Sequence, residues 1–137
     1  MGMKRNYKID KLYIKIDYAH RLPDYQILFP YYDRFLPHFV KYLPEDKVII
    51  DVGANIGDTL AGMASNNDLL NYICIEANEG FFKELQKNVD YLKKQSSKLK
   101  ITTINQFVGL DINNLSMSGS GGSKKAILGG GILNLKA

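Results

Sequence analysis

Two acidic residues and two glycines carry the clearest chemical signal in this chain. Asp51 lies near the end of an apolar run at residues 48–52, and the loop that follows carries Gly53 and Gly57. Glu76 ends the next apolar run about 20 residues past that loop, where an acid of a βαβ unit accepts hydrogen bonds from ribose hydroxyls. Glycines let a backbone approach a ligand closely, and the start of a following helix offers unpaired N–H groups. A strand, a glycine turn and a helix start in this order predict a nucleotide-binding element.

The spacing of the loop residues distinguishes between two classes of cofactor. A dinucleotide fingerprint reads G-x-G-x-x-G, whereas this loop reads D-x-G-x-N-x-G. A carboxylate at Asp51 would repel a pyrophosphate placed against the turn, but it suits a ligand that brings a cation or a hydroxyl. S-adenosylmethionine brings an ammonium, a sulfonium and a ribose but no phosphate, so the residue types favour it over NAD. In the alternative interpretation, Asp51 and Glu76 are only helix-capping or solvated acids at strand ends.

The same residues carry a resemblance to a known family. The segment VIIDVGANIGDT at residues 48–59, with IEAN at residues 75–78 and FKELQKN at residues 82–88, resembles the FkbM family of S-adenosylmethionine-dependent methyltransferases. The resemblance extends over roughly residues 30–128 and includes YDRFLP at residues 32–37. It implies that the loop after the first strand holds the methionine part of the cofactor and that the acid of the next strand holds the ribose. It also implies methyl transfer to a hydroxyl of a sugar or another small molecule, an in-line displacement in which the protein mainly positions donor and acceptor.

The candidate cofactor-binding residues come from three places that the fold should bring together. Ligands of doubly wound sheets lie outside the carboxyl ends of the strands, so the loop after the first strand and the ends of the next two strands share one rim. Residues 105–107 would flank the adenine. The sequence predicts no general base and no metal site, because Asp17, Asp24, His20 and His38 are each expected at the surface. The candidate residues are Asp51, Gly53, Ala54, Asn55, Gly57, Asp58, Thr59, Glu76, Ala77, Asn78 and Gln106.

The elements that position these residues follow the order β-α-β-α-β. The apolar patterns predict strands at residues 48–52, 72–77 and 100–108, and helices at about residues 58–65 and 79–94. Asp58 or Thr59 is expected to cap the first helix. Asn78 is expected to cap the second helix or to reach the nucleoside, and both roles can hold at once. The order predicts an α/β protein with a Rossmann-like methyltransferase fold, an incomplete parallel sheet and right-handed crossovers.

An N-terminal accessory segment, residues 1–45, precedes this partial Rossmann-like methyltransferase domain at residues 46–137. Leu12, Ile14 and Ile16 alternate with polar residues, which is typical of a strand. We therefore expect a small accessory hairpin and a helix ahead of the main fold.

The remaining segments are a turn, a helix and a loop. Residues 20–25 predict a turn, and residues 31–43 predict a helix with Pro37 in its first turn and an aromatic stripe in the core. That stripe consists of Tyr32, Phe35, Leu36, Phe39, Val40 and Leu43. Residues 116–123 are rich in serine and glycine and lack the G-x-x-x-x-G-K-[ST] pattern of a phosphate loop, so a flexible loop is expected there.

Composition limits the class of protein. A chain of 137 residues with 45% hydrophobic residues is sized for one domain with a real core. The net charge of +4 comes from lysines spread along the chain, which favours a solvated surface over a nucleic-acid-binding face. The single cysteine, Cys74, lies in an apolar strand and is expected to be a small buried residue of a reducing compartment. The sequence has neither a membrane-spanning run nor a signal peptide, so we expect a cytoplasmic protein without a membrane partner.

The end of the sequence bears on the expected activity. In the FkbM family a fourth strand with an I-K-I-D-x-E-G-like motif follows the Ser/Gly-rich stretch, and this sequence has no such motif. We therefore expect a shortened methyltransferase that keeps most of the cofactor site and lacks much of the substrate site. An unpaired edge on the first strand would favour a homodimer. The alternatives are a non-catalytic cofactor-binding or dimerisation module and a fragment of an NAD-dependent oxidoreductase, which the loop spacing disfavours.

Overall fold

The computed structural model describes residues 2–31 and 34–109, together with the backbone of residues 115–118, 125–128 and 131–132. Within these ranges the protein is an α/β structure with a three-stranded parallel sheet, an N-terminal antiparallel hairpin and a three-stranded antiparallel sheet. In chain order the elements are β1 (Lys4–Ile9), β2 (Leu12–Asp17), α1 (Leu22–Leu28), α2 (Phe35–Phe39), a 3-10 turn (Val40–Tyr42), β3 (Val48–Val52), α3 (Asp58–Asn66), β4 (Asn71–Ile75), α4 (Glu79–Gln95), β5 (Lys100–Ile104), β6 (Leu115–Ser118), β7 (Lys125–Leu128) and β8 (Gly131–Ile132).

The parallel sheet has the strand order β3-β4-β5, which confirms the predicted β-α-β-α-β arrangement. β4 and β5 end at Ile75 and Ile104, before the predicted ends at residues 77 and 108, because the chain leaves the ladder there to build loops. Right-handed crossovers between sequential neighbours place α3 and α4 on one face of the sheet. On that face Tyr72 is 1% exposed, whereas Ile50 on the opposite face is 60% exposed.

The N-terminal hairpin covers the outer side of these helices. β1 and β2 pair antiparallel, and β2 contacts both α3 and α4. Leu12, Ile14 and Ile16 are buried on one side of β2, as the alternation predicted. They belong to the same hydrophobic core as Leu60 of α3 and Leu85 of α4. The hairpin, the helices and the sheet therefore form three layers around one core.

Two amide side chains of α4 fasten the hairpin to the helix. Asn88 is buried; its Oδ1 accepts from the N–H of Lys15 (2.8 Å), and its Nδ2 donates to the carbonyls of Lys15 (3.1 Å) and Ile56 (2.9 Å). Gln95 exchanges a similar pair of bonds with the backbone of Tyr13, at 2.8 and 2.7 Å. These bonds satisfy backbone groups of β2 that no neighbouring strand pairs, and the bond to Ile56 also holds the loop before α3.

The helices of the N-terminal segment overturn two expectations. The turn predicted at residues 20–25 is wrong, because α1 begins within it. Pro23 lies in the first turn of α1, where backbone N–H groups have no partner within the helix, so the N–H that proline lacks costs no helical hydrogen bond. The aromatic stripe predicted for the core is wrong for three of its residues, whereas Val40 is buried, Leu43 packs against the core, and Tyr32 lies outside the described residues. Phe35 and Phe39 of α2 are 73% and 44% exposed, and Leu36 between them is 41% exposed.

The opposite side of α2 explains this outcome. Pro37 lies in the first turn of α2, as predicted, and is buried. Its Cγ lies 2.8 Å from the position that a Cβ on Gly62 of α3 would occupy. Val40, directly after α2, is buried as well. Because Gly62 has no side chain, α2 packs closely on α3 through Pro37, and the aromatic side chains of α2 point outward.

The three strands β6, β7 and β8 pair antiparallel in sequence order. The flexible loop predicted at residues 116–123 is wrong for Ser116, Met117 and Ser118, whose backbone pairs with β7. The rest of that prediction lies outside the described residues. Within the described ranges, no helix combines the length and the apolar character that crossing a membrane requires.

Candidate functional site

The loop between β3 and α3 is shaped by three residues with positive φ. Gly53, Asn55 and Gly57 have φ values of 84°, 51° and 91°. Glycine adopts this region without strain, and asparagine is one of the few other residues that tolerate it. Gly57 is the N-cap of α3, so the predicted capping by Asp58 or Thr59 is wrong. Both residues lie in the first helical turn instead, because the left-handed backbone at the cap position favours glycine.

The two glycines of the loop serve different purposes. A Cβ on Gly57 would lie 3.0 Å from Cδ1 of Leu85, so this glycine lets the start of α3 pack closely against α4. A Cβ on Gly53 would meet no atom within 4 Å. Gly53 is exposed and follows directly on β3, so its surroundings leave room for a ligand at the carboxyl end of that strand.

The N–H groups of the loop are largely used within the chain. Four of them donate to acceptors in the loop itself, in the last residue of β4 or in Glu76 directly after it. The pairs are Gly53 N–H to Ile75 O (2.8 Å), Ala54 N–H to Ile75 O (3.1 Å), Asn55 N–H to Glu76 Oε2 (2.9 Å) and Gly57 N–H to Ala54 O (2.9 Å). In a phosphate-binding loop such N–H groups point at the anion. The first part of this loop is therefore not built as a phosphate cradle.

Glu76 links the loop to the start of α4. The residue is buried, with 7% of its surface exposed. Oε2 accepts from the N–H of Asn55 at 2.9 Å, and Oε1 accepts from the N–H of Asn78 at 2.7 Å. A carboxylate has about four lone-pair sites, so two backbone donors leave capacity for the hydroxyls of a ligand. Glu76 thus has a structural role that the sequence did not reveal, and this role is compatible with ribose binding.

Two asparagines complete this part of the rim. Asn78 is the N-cap of α4, as predicted, and its Oδ1 accepts from the N–H of Phe81 at 3.1 Å. Asn105 follows β5, and its Nδ2 donates to the carbonyls of Glu76 (2.7 Å) and Ala77 (3.3 Å). Asn105 therefore joins the end of β5 to the end of β4. The sequence placed Asn105 beside the adenine and gave no sign of these bonds.

Asp51 and Cys74 are opposite partners on β3 and β4. Asp51 is half-buried, and Cys74 is fully buried, as predicted for a small core residue. Burial raises the pKa of the Cys74 thiol to about 12, and the negative charge of Asp51 contributes in the same direction. The Asp51 carboxyl thus lies inside the carboxyl-terminal half of the sheet, where such a group favours a cation over a second anion.

The structure brings most of the candidate residues to one rim. The glycine loop and the segment from Glu76 to Asn78 meet at the carboxyl ends of β3 and β4, through the bonds given above, and Asp51 lies in β3 two residues before Gly53. Gln106 lies just after β5 and is exposed. Asn88 supports the loop through Ile56, and sequence reasoning missed it. An amide among the buried residues Leu85, Val89 and Leu92 of α4 is the signal that could have revealed it.

A cavity of about 130 Å³ lies beside the first turn of α3, between the hairpin, α1 and α2. Asp58 and Thr59 line it together with residues of the N-terminal segment, among them Arg34 and His38. His38 is otherwise exposed, as predicted, and its Nδ1 lies 3.2 Å from Nζ of Lys41. The sequence did not predict this cavity, because its walls depend on α1 and on the unexpected orientation of α2.

The comparisons with known proteins give no family for this chain. No protein-family model matches it, and no curated protein matches it significantly. In residues 2–31 and 34–109, no cluster of three or more His, Cys, Asp or Glu side chains is arranged to hold a metal ion.

Proposed function

We propose that this chain binds S-adenosylmethionine at the rim formed by the glycine loop and Glu76, and that it derives from methyltransferases of the FkbM type. The observation that carries the proposal is that N–H groups of the loop already donate hydrogen bonds to acceptors within the chain. Four of them are bonded within the chain, so the first part of the loop is not built to cradle a pyrophosphate, while two carboxylates lie near the ends of neighbouring strands. A cofactor with a cation and a ribose, but no phosphate, matches this arrangement.

In this proposal, different residues bind different parts of the cofactor. Asp51 offers a negative charge beside the open space at Gly53, which suits the ammonium of the methionine part. Glu76 offers its remaining lone pairs to the ribose hydroxyls. Residues 105–107, at the end of β5, would flank the adenine. Ala77 and Asn78 complete the nucleoside side of the site.

The reaction that we propose is methyl transfer to a hydroxyl of a sugar or another small molecule. Transfer from a sulfonium is an in-line displacement that needs positioning more than it needs acid–base chemistry. A cavity lined by Asp58 and Thr59 lies at the first turn of α3, directly after the loop, and we place the acceptor there. No residue is assigned as the general base.

Calorimetric titration of the purified chain tests the cofactor. We expect saturable binding of S-adenosylmethionine and S-adenosylhomocysteine, and at least about 10-fold weaker binding of NAD. Glu76→Gln should weaken S-adenosylmethionine and adenosine alike, whereas Asp51→Asn should weaken S-adenosylmethionine and leave adenosine unchanged. Glu79→Gln is the matched control, because Glu79 is exposed, forms an ion pair with Lys83 and does not contact the loop. Tighter binding of NAD, or no binding of any nucleoside, would overturn the proposal.

A second candidate is a non-catalytic cofactor-binding module that forms a homodimer through the edge of β3. Among the described residues, β3 pairs only with β4, so its other edge has unpaired backbone groups. Such an edge is a template for association. Cofactor binding together with a dimer that carries out no methyl transfer would favour this candidate. A stable monomer in size-exclusion chromatography would count against it.

A further inference from the structure

Among the described residues, no helix packs on one face of the parallel sheet. Its apolar side chains, which we call the aliphatic sheet face, are Val48, Ile50, Val52, Ile73, Ile75 and Ile104, and the polar residues Asn71, Lys100 and Thr102 lie on the same face. Val48, Ile50 and Val52 are 51%, 60% and 50% exposed. Parallel sheets in α/β proteins are normally covered by helices on both faces. An exposed apolar patch of this extent marks an interaction site.

A second apolar surface lies on the N-terminal helices. We call it the aromatic helical surface; it consists of Ile27, Leu28, Phe29, Phe35, Leu36 and Phe39. Ile27, Leu28 and Phe35 are 78%, 69% and 73% exposed. The rings of Phe35 and Phe39 stack at 5.6 Å, which gives α2 a continuous aromatic side. α1 and α2 are neighbours, since both line the same cavity.

The two surfaces cannot cover each other within one copy of this structure. α2 packs on α3 through Pro37 and Gly62, and α3 lies on the opposite face of the sheet from Ile50. The part of the chain that the structure describes thus presents apolar helices without a sheet to cover, and an apolar sheet face without helices. Pairing of two β3 edges would not resolve this, because it extends the sheet and leaves the side chains of the aliphatic sheet face in water.

We propose that the aliphatic sheet face is covered by the aromatic helical surface of a second copy of this chain. Helix-on-sheet packing is the arrangement that such a face normally has, and the second copy supplies helices of matching character. Bulky Phe and Leu side chains on the helices meet β-branched Val and Ile side chains on the strands. The proposal is independent of the cofactor, because none of these side chains belongs to the proposed cofactor site.

The contact joins two different patches, so it is head-to-tail. A head-to-tail contact leaves one free patch of each kind on a pair of molecules, and the wild-type chain can therefore assemble beyond a dimer. Two variants, each with one damaged patch, behave differently. Neither associates with itself, yet a mixture of the two retains one intact helix surface and one intact sheet face. The mixture therefore forms a pair and stops there.

The test is analytical ultracentrifugation of the full chain and two variants at concentrations up to about 100 µM. Ile50→Asp places a charge in the middle of β3 on the aliphatic sheet face, and Phe35→Glu places one on the aromatic helical surface. Both side chains are exposed, so the fold should persist; thermal unfolding and the milder Ile50→Thr variant check this. We expect self-association of the wild-type chain, association at least about 10-fold weaker in each variant, and a one-to-one pair in their mixture.

The control is Met3→Glu, which changes a 77% exposed apolar residue outside both surfaces and should associate like the wild-type chain. A monomeric wild-type chain at the highest concentration would overturn the proposal. So would variants that associate as strongly as the wild-type chain. A mixture of Ile50→Asp and Phe35→Glu that stays monomeric would overturn it as well, because the remaining intact helix surface and sheet face would then fail to meet. Self-association that is lost in one variant and kept in the other would show that like patches meet, and would also overturn it.

Discussion

Both faces of the parallel sheet carry large apolar side chains, but one face is covered by helices and the other is exposed. Toward α3 and α4, Tyr72 and Ile101 are 1% and 8% exposed, whereas Ile50 and Val52 on the aliphatic sheet face are 60% and 50% exposed. Successive side chains of a strand point to opposite faces, so each of these strands contributes to both. A strand in which every position is apolar therefore predicts that both faces of its sheet are covered by other elements. It does not show which element, or which molecule, supplies that cover.

A matched pair of substitutions, one on each face of the sheet, should give the largest difference in the free energy of unfolding. Ile101→Ala removes a buried side chain and should lower the free energy of unfolding by about 2–4 kcal/mol. Ile50→Ala removes an exposed one and should cost about 1 kcal/mol or less, chiefly through lost β propensity. Urea denaturation, at a concentration where the chain is monomeric, measures both. Equal losses would show that the aliphatic sheet face is already covered within one chain.

The order of the central elements was predictable because each rests on local signals. The alternation of Leu12, Ile14 and Ile16, the helical period of α4 and the N-cap at Asn78 all lie within a few residues of the structure they specify. The placement of α2 was not predictable in the same way. Its aromatic stripe has the period of a buried helix, but the contact between Pro37 and Gly62 turns it outward. That contact joins residues 25 positions apart in the sequence.

The candidate site likewise combines features that local sequence signals predict with features that only tertiary contacts determine. The glycine loop and the acids at the strand ends were visible, because strand, turn and helix follow one another directly in the sequence. The bonds that fix the site were not visible. Asn105 joins β5 to the carbonyl of Glu76, and Asn88 joins α4 to Ile56 and to the hairpin. Each of these amides acts across the tertiary structure, and an asparagine carries no periodic signal of its partner.

Alanine substitutions at the two loop glycines compare a position that packs against α4 with one that has open space around it. Gly57→Ala adds strain at φ 91° and a Cβ 3.0 Å from Leu85, so it should cost about 2 kcal/mol of stability. Gly53→Ala adds strain at φ 84° in open space and should cost about 1 kcal/mol. Calorimetry should show the reverse order for S-adenosylmethionine, with the larger loss of affinity in Gly53→Ala. A larger loss of stability in Gly53→Ala would contradict the assignment of its surroundings as open.

Thiol reactivity gives the mildest test, because it leaves the fold unchanged. Cys74 lies on the covered face, and burial raises its pKa from an ordinary value of 9.0 to about 12. The native thiol is therefore protonated at pH 8, and alkylation by iodoacetamide should wait for unfolding. Ile73→Cys with Cys74→Ser moves the thiol by one residue to the aliphatic sheet face, where it should react in the native state. Similar rates for the two positions would contradict the difference between the faces.

The same raised pKa fixes the direction of a pH effect. Below pH 9 the thiol is protonated in both the folded and the unfolded chain, so its contribution to stability is fully present. Between pH 9 and about 12 the unfolded chain loses this proton more readily than the folded chain does, and the folded state is progressively destabilised. Cys74→Ser removes this titration, so its stability relative to the wild-type chain should improve as the pH rises through that interval. An unchanged difference in urea midpoints across the interval would mean that the thiol of Cys74 is as accessible as one on the opposite face.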